Sequence, residues 1–150
     1  MAAVAGMIAE YVGRKLGTES EEIIVENGGD VFLMGKTERV VAISAGNSPL
    51  SMKLGIKIIP ENGMSICTSS GTVGHSLSFG KSDAAVVIGA DCALADAVAT
   101  MLGNKCKNTS SLTEAVEWAA SLDGVDGALA IVNDRLAAAG SIQLVRLTDQ

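Results

Sequence analysis

Short apolar segments separated by tight turns run through most of the chain, and their spacing constrains the fold more than any other feature. We predict strands at residues 22–26, 31–34, 39–44, 53–59, 65–67, 84–90, 128–132, 135–139 and 142–147. Strands joined by such short connections usually pair antiparallel. A helical period predicts further segments at residues 2–16, 92–102 and 111–122. The sequence therefore predicts a single α+β domain over residues 1–150, with a mainly antiparallel sheet and about three helices.

The composition argues against several classes of protein. The net charge is −6 and the chain holds only one Trp, one Tyr and two Phe, so we expect no nucleic-acid partner. The first apolar segment carries Glu10, Arg14 and Lys15, which makes a signal peptide or a membrane span a poor interpretation. Three cysteines form an odd, sparse set, as expected for free thiols in a reducing compartment. We therefore expect a cytoplasmic protein with no membrane partner.

The segment at residues 92–102 is apolar or small at every position except Asp96 and Thr100. These two residues are four apart, so they share one face of the predicted helix. A helix this apolar is expected to be buried on most sides, and a buried carboxylate needs a partner. An Asp and a hydroxyl with backbone carbonyls nearby suit Mg²⁺. The alternative is that Asp96 accepts backbone N–H bonds from a neighbouring loop and Thr100 bonds within its own helix.

A polar stretch at residues 67–75 concentrates hydroxyls and glycines and ends in His75, the only histidine of the chain. Candidate donors to a phosphate are Thr68, Ser69, Ser70 and Gly71. The spacing is not that of a P-loop, and an ordinary polar turn remains an equal interpretation. Two weaker hypotheses are a nucleophilic Cys67 activated by His75, and a zinc site built from the three cysteines and His75. Neither has the compact spacing typical of such sites.

The turn at residues 27–30 reads Asn27, Gly28, Gly29 and Asp30. Glycines at this point favour a β-hairpin. They could equally let the backbone approach a ligand closely. The residues alone leave both interpretations open.

The order of three motifs resembles the ApbE superfamily. They are the Asn-Gly-Gly-Asp turn, the Thr-Ser-Ser-Gly segment before a histidine, and the Ala-Asp-Ala-x-Ala-Thr helix. Its members include flavin transferases that move FMN from FAD onto a protein, and the chain is most similar to an uncharacterised branch. The resemblance implies an ApbE-like fold, Mg²⁺ at Asp96 and Thr100, and a flavin nucleotide at the residue 27–30 turn and the residue 68–71 segment. It implies proton transfer by His75.

The chain departs from the transferase pattern in three places. The transferases carry a His-x-x-Asp-Pro segment, but after His75 this chain reads Ser76, Leu77, Ser78 and Phe79, without the Asp and the Pro. Ala5-Gly6 stands in place of a Lys-Gly pair. Glu10 stands roughly where those proteins have Asp. Relatives also carry sequence before the point that matches Met1, so we expect part of the usual flavin pocket to be missing or built differently. We therefore expect no FMN transfer.

Two functions remain open from the sequence. One is a Mg²⁺-assisted site for a flavin or related nucleotide, and the other is a non-catalytic binding or assembly module on the same scaffold. The first helix carries a wide apolar face through Val4, Met7, Ile8 and Val12, which predicts a homo-oligomer, most simply a twofold dimer. Alternatively, the sheet packs on this face and the protein is monomeric. The late strands could add an unpaired sheet edge.

Overall fold

A computed structural model describes residues 3–71 and 81–147 of the chain. Its three α-helices are α1 (Val4–Leu16), α2 (Cys92–Lys105) and α3 (Leu112–Ala120). Its nine strands are β1 (Ile23–Asn27), β2 (Asp30–Gly35), β3 (Arg39–Ala42), β4 (Leu54–Ile58), β5 (Glu61–Ser69), β6 (Ala84–Gly89), β7 (Gly127–Val132), β8 (Arg135–Gly140) and β9 (Leu144–Arg146). None of these helices has the length and apolar content needed to cross a lipid bilayer.

The strands form two sheets in which all neighbouring strands are antiparallel. The larger sheet has the order β1-β2-β5-β6-β7-β8, and the smaller one has the order β3-β4-β9. The α+β class, the mainly antiparallel pairing and the three predicted helices are thereby confirmed.

The large sheet lies between the helices and the small sheet. Its central strands β6 and β7 are buried at every residue, as expected for strands covered on both faces. On one face, Val87 and Ala130 share an apolar cluster with Leu102 of α2. On the opposite face, Leu129 shares a second cluster with Ile56 of the small sheet. The two faces of this sheet therefore supply the two halves of the core.

Several predicted boundaries differ from the structure. The segment predicted as a short strand at residues 65–67 is part of the nine-residue β5, which begins directly after Pro60. Pro60 and Asn62-Gly63 predict a turn at this point, and the backbone N–H of Gly63 does donate to the carbonyl oxygen of Pro60 at 3.0 Å, with Gly63 at φ +125°. The spacing of Ser111 and Glu114 predicts a capping box at the start of α3. This prediction is wrong, because Ser111 caps nothing at α3 and instead pairs with Asn108 around a preceding 3-10 turn.

Candidate functional site

The N-terminal ends of α1 and α2 cross at Gly6. A Cβ at this position would stand 2.5 Å from the carbonyl oxygen of Cys92 and 2.9 Å from Cβ of Asp96, so only glycine permits the approach. The backbone N–H of Gly6 donates to Oδ2 of Asp96 at 3.1 Å. In the other direction, the N–H of Cys92 donates to Oε2 of Glu10 at 2.9 Å.

Each helix therefore caps the other with a carboxylate. First-turn N–H groups have no partner within their own helix, and a carboxylate there also interacts favourably with the helix dipole. The structure confirms the interpretation in which Asp96 accepts a backbone N–H, although the donor belongs to a helix and not to a loop. It corrects the expected burial, since Asp96 and Thr100 are half-buried and Met101 beside them is 50% exposed.

The residue 27–30 turn is a two-residue hairpin between β1 and β2. Asn27 pairs with Asp30 across it, and both glycines have positive φ values of 66° and 100°. Such angles are favourable for glycine and give the tight turn that joins two antiparallel strands. The side chain of Asn27 donates from Nδ2 to the carbonyl oxygen of Ala5 at 3.1 Å. This bond fastens the hairpin to the start of α1, beside the helix crossing.

Asp30 is brought by this hairpin against Asp96. It is only 5% exposed, and its Oδ1 accepts a hydrogen bond from the N–H of Thr68 at 3.3 Å. Burial, together with the adjacent charge and hydrogen bond of Asp96, raises the pKa of Asp30 from 3.8 to about 7. Two carboxylates in contact cannot both ionise easily without a nearby positive charge. Asp30 therefore remains partly protonated near neutral pH.

This pair meets the chemical requirements of a Mg²⁺ site in part. Thr100 lies one turn after Asp96 on α2 and supplies a hydroxyl. In the described part of the chain, no three His, Cys, Asp or Glu side chains come together as a metal-binding group. A Mg²⁺ ion here would therefore take most of its ligands from backbone carbonyls, water or bound phosphate, as Mg²⁺ commonly does.

The predicted phosphate-binding segment continues from this pair along α2. Thr68 adjoins both Asp30 and Gly29, and a Cβ added to Gly29 would lie 3.5 Å from the carbonyl oxygen of Thr68. Ser69 ends β5 and faces the later part of α2, near Gly103. Ser70 and Gly71 follow, and the N–H of Gly71 donates to the carbonyl oxygen of Ser82 at 2.8 Å. His75, the predicted catalytic residue, lies outside the described residues.

An open cavity of about 500 Å³ adjoins Gly71 at the far end of this segment. Lys81, Lys107 and Asn108 line it, together with the carboxylate of Asp83. Sequence reasoning missed the two lysines because they lie 26 positions apart and only the fold brings them together. It also missed the contact between Asp30 and Asp96, for the same reason.

Among the described residues the cysteines form no metal site, and the thiols of Cys67 and Cys106 are not activated as nucleophiles. Cys67 and Cys92 are fully buried with their sulfur atoms 3.6 Å apart, and Cys106 is buried separately. The hydrogen bond to Cys92 and burial raise the pKa of the Cys67 thiol, and burial raises the pKa of Cys106 to about 11. Both thiols therefore stay protonated at neutral pH, which disfavours the nucleophile hypothesis.

Comparison with known proteins places these features in a family. Residues 1–135 match the family model described as AbpE bacteria. A UPF0280 protein of Methanocella arvoryzae is 43% identical over 144 residues, which cover 95% of this chain and 58% of that protein. A UPF0280 protein of Methanococcus aeolicus is 38% identical over 156 aligned positions, covering all of this chain and 63% of the relative. The chain thus spans about three fifths of the length of these curated relatives.

A solved structure shares the fold. The flavin transferase ApbE from Vibrio cholerae matches with a TM-score of 0.58 and 19% sequence identity, over 91% of this chain and 48% of that one. At this identity the match shows a common ApbE-like fold. The resemblance inferred from the sequence motifs is confirmed at the level of the superfamily.

Proposed function

The chain belongs to the AbpE bacteria family, and on this premise we propose that it binds a flavin or related nucleotide together with Mg²⁺ beside the pair formed by Asp30 and Asp96. The observation that carries the proposal is the contact between these carboxylates, one of them 5% exposed with a pKa raised to about 7. Such a pair gains most from a divalent cation, because the cation removes the repulsion and the cost of ionising a buried acid.

Asp30, Asp96 and Thr100 would hold the ion. When bound, Mg²⁺ supplies positive charge that offsets the negative charge of a pyrophosphate. The chain's own residues orient the nucleotide. The side chains of Thr68, Ser69 and Ser70 place hydroxyls at and after the end of β5. The hairpin at residues 27–30 leaves room for close approach, since a Cβ on Gly28 would meet nothing within 4 Å. The buried free thiols support the proposal of a cytoplasmic location.

His75 remains our candidate for proton transfer. We still expect that the protein does not transfer FMN. The transferase pattern His-x-x-Asp-Pro places Asp and Pro three and four residues after the histidine, where this chain has Ser78 and Phe79. We propose nucleotide binding without transfer to an acceptor protein. Intact-mass spectrometry with FAD, Mg²⁺ and a transferase acceptor peptide checks this, and a covalent FMN adduct that requires Asp96 contradicts it.

The second candidate function is a non-catalytic binding or assembly module. One observation favours it: Asp96 is already used as a cap for α1, so a ligand is not needed to explain this residue. The two candidates differ over Asp30, because a structural module has no use for a carboxylate that is costly to ionise. The experiment must therefore ask whether Asp30 responds to a cation.

Thermal unfolding decides between the two candidates. The protein is melted in a chelator, with millimolar Mg²⁺, with FAD or FMN, and with both. Ligand at a hundredfold excess over Kd stabilises the native state by about 2.7 kcal/mol, which raises the melting temperature by roughly 5–10 °C for a domain of this size. We expect the increase with Mg²⁺ and nucleotide together, and its loss in Asp30→Asn and Asp96→Ala.

Asp123→Asn is the matched control, since it removes an exposed carboxylate elsewhere on the surface. It should melt like the parent protein under every condition. An unchanged melting temperature of the parent in all four conditions would refute the proposed site. Mass spectrometry of small molecules released from the purified protein then identifies the nucleotide.

A further inference from the structure

The helix α1 packs on the rest of the fold with its smallest residues. The side that contacts the sheet and α2 consists of Gly6, Ala9 and Gly13, which are all buried. A Cβ on Gly13 would overlap the ring of Phe32. The sheet therefore does not cover the large apolar residues of this helix, and the expectation that it would do so in a monomer is wrong.

The large residues of α1 point away from the described structure instead. We define the α1 face as Val4, Met7, Ile8, Tyr11, Val12 and Leu16, which are between 38% and 65% exposed. At 100° per residue they span about half of the helix circumference. Lys15 lies at the middle of the same arc, near the C-terminal end of the helix, with its ammonium 5.9 Å from the centre of the Tyr11 ring.

The size of the α1 face suits a partner. From ordinary side-chain areas it exposes roughly 550 Å², at the upper end of the largest apolar patches on soluble monomers. Covering it on two copies removes about 1,100 Å² before any polar rim is counted, close to the lower limit of about 1,200 Å² for specific interfaces. A second copy of the chain therefore offers enough area for a stable dimer.

The pattern of the α1 face is self-complementary. One row of the face repeats every four residues as Val4, Ile8, Val12 and Leu16. When two such helices pack antiparallel about a twofold axis near position 10, Val4 lies opposite Leu16 of the other copy and Ile8 lies opposite Val12. Apolar residues then meet apolar residues along the entire row.

The adjacent sheet edge adds a second self-complementary element. The helix α1 packs over β1, the outermost strand of the large sheet. Within residues 3–71 and 81–147, β1 pairs with β2 on one edge and with nothing on the other. Two such edges related by a twofold axis can pair antiparallel.

We infer that the α1 face binds the α1 face of a second copy of this chain, forming an antiparallel twofold dimer. The rival occupant is a further segment of polypeptide, because the related UPF0280 proteins are longer than this chain. The two occupants predict different masses in solution, since only the second copy doubles the mass.

Light scattering after size exclusion, at tens of micromolar chain, tests the inference. We expect twice the chain mass of 15.2 kDa for the parent protein. Ile8→Lys should weaken the dimer by at least about a hundredfold, because it buries an unpaired ammonium in the interface. Its folding should be unchanged, since Ile8 is 47% exposed in the single chain.

Met101→Lys is the matched control, because Met101 is a helical residue with 50% exposure on α2, outside the α1 face. It should leave the dimer intact. A parent mass of 15.2 kDa overturns the inference and favours the rival occupant. A dimer that survives Ile8→Lys, or that Met101→Lys dissociates equally, overturns the assignment to the α1 face.

Cross-linking tests the antiparallel arrangement. Val4→Cys and Leu16→Cys are prepared separately, then mixed and oxidised; the native thiols are buried and do not compete. The mixture should form a disulfide between the two variants. Val4→Cys alone should not, because about 18 Å separates the two copies of position 4 in this arrangement. Efficient self-cross-linking of Val4→Cys overturns the antiparallel pairing.

Discussion

Replacing Asp30 by Asn should stabilise the metal-free protein at neutral and alkaline pH. The amide has the shape of a protonated carboxyl group. Its Nδ2 can donate to Asp96, as a protonated Asp30 does, and its Oδ1 can accept the N–H of Thr68. The substitution therefore keeps the contacts of the neutral side chain and removes the cost of ionising it.

The magnitude follows from the two pKa values of Asp30. Its carboxyl titrates near 3.8 in the unfolded chain and at about 7 in the folded one. Between these values the native state binds more protons than the unfolded state, so the free energy of unfolding falls as the pH rises. The loss begins near the lower value, is complete above the higher one, and amounts to about 4 kcal/mol at most. That is a large part of the 5–15 kcal/mol typical of a domain.

Urea unfolding of both proteins in a chelator, from about pH 4 to about pH 8, measures this effect. We expect the free energy of unfolding of Asp30→Asn to rise by about 2–4 kcal/mol relative to that of the parent as the pH increases across that range. Asp123→Asn, which changes an exposed carboxylate, should show no such trend. Added Mg²⁺ and nucleotide should reduce the difference in the free energy of unfolding between Asp30→Asn and the parent, because they stabilise only the parent. A difference that stays constant with pH would refute the reasoning that Asp30 is ionised at a cost beside Asp96.

Three further predictions concern the scaffold and the thiols. Gly6→Ala should lower the free energy of unfolding by more than about 2 kcal/mol in urea, because its Cβ would stand 2.5 Å from the carbonyl oxygen of Cys92. Leu129→Ala should cost about 2–5 kcal/mol in the same assay, because this fully buried residue lies in the core between the two sheets. A thiol reagent should label no cysteine of the folded protein and all three in urea, since each is fully buried, and fast labelling of the native protein would contradict this.

Much of the fold could be predicted from local patterns. The fully apolar run at residues 84–90 gave a strand that is buried throughout, and the Asn-Gly-Gly-Asp turn gave a two-residue hairpin. These features depend on residues adjacent in sequence. Boundaries that depend on distant contacts were missed, as with β5, which extends from Glu61 because its first residues pair with β2.

Only part of the candidate site could be predicted from the sequence. The polar pair on α2 was visible as a break in an apolar helix. Its partner Asp30 was assigned to a nucleotide-binding turn, and nothing in the spacing places it 66 positions away against Asp96. That contact requires the register of β2 against β5 and the close helix crossing at Gly6, which are both tertiary.

The two acids of the site differ in what the scaffold itself requires. Asp96 caps α1 through the N–H of Gly6, so its carboxylate has a structural use without any ligand. Asp30 has a smaller structural use, because an asparagine could keep the hydrogen bonds to Asp96 and to the N–H of Thr68. It would lose only the favourable interaction of the charged carboxylate with Cys67, and it would avoid the cost of ionisation. An acid at a position where its neutral isostere is the more stable choice is best explained by a ligand that needs the charge. Of the two residues, it is therefore Asp30 whose presence argues for a cation, and Asp30→Asn separates a ligand site from a structural module more sharply than any change at Asp96.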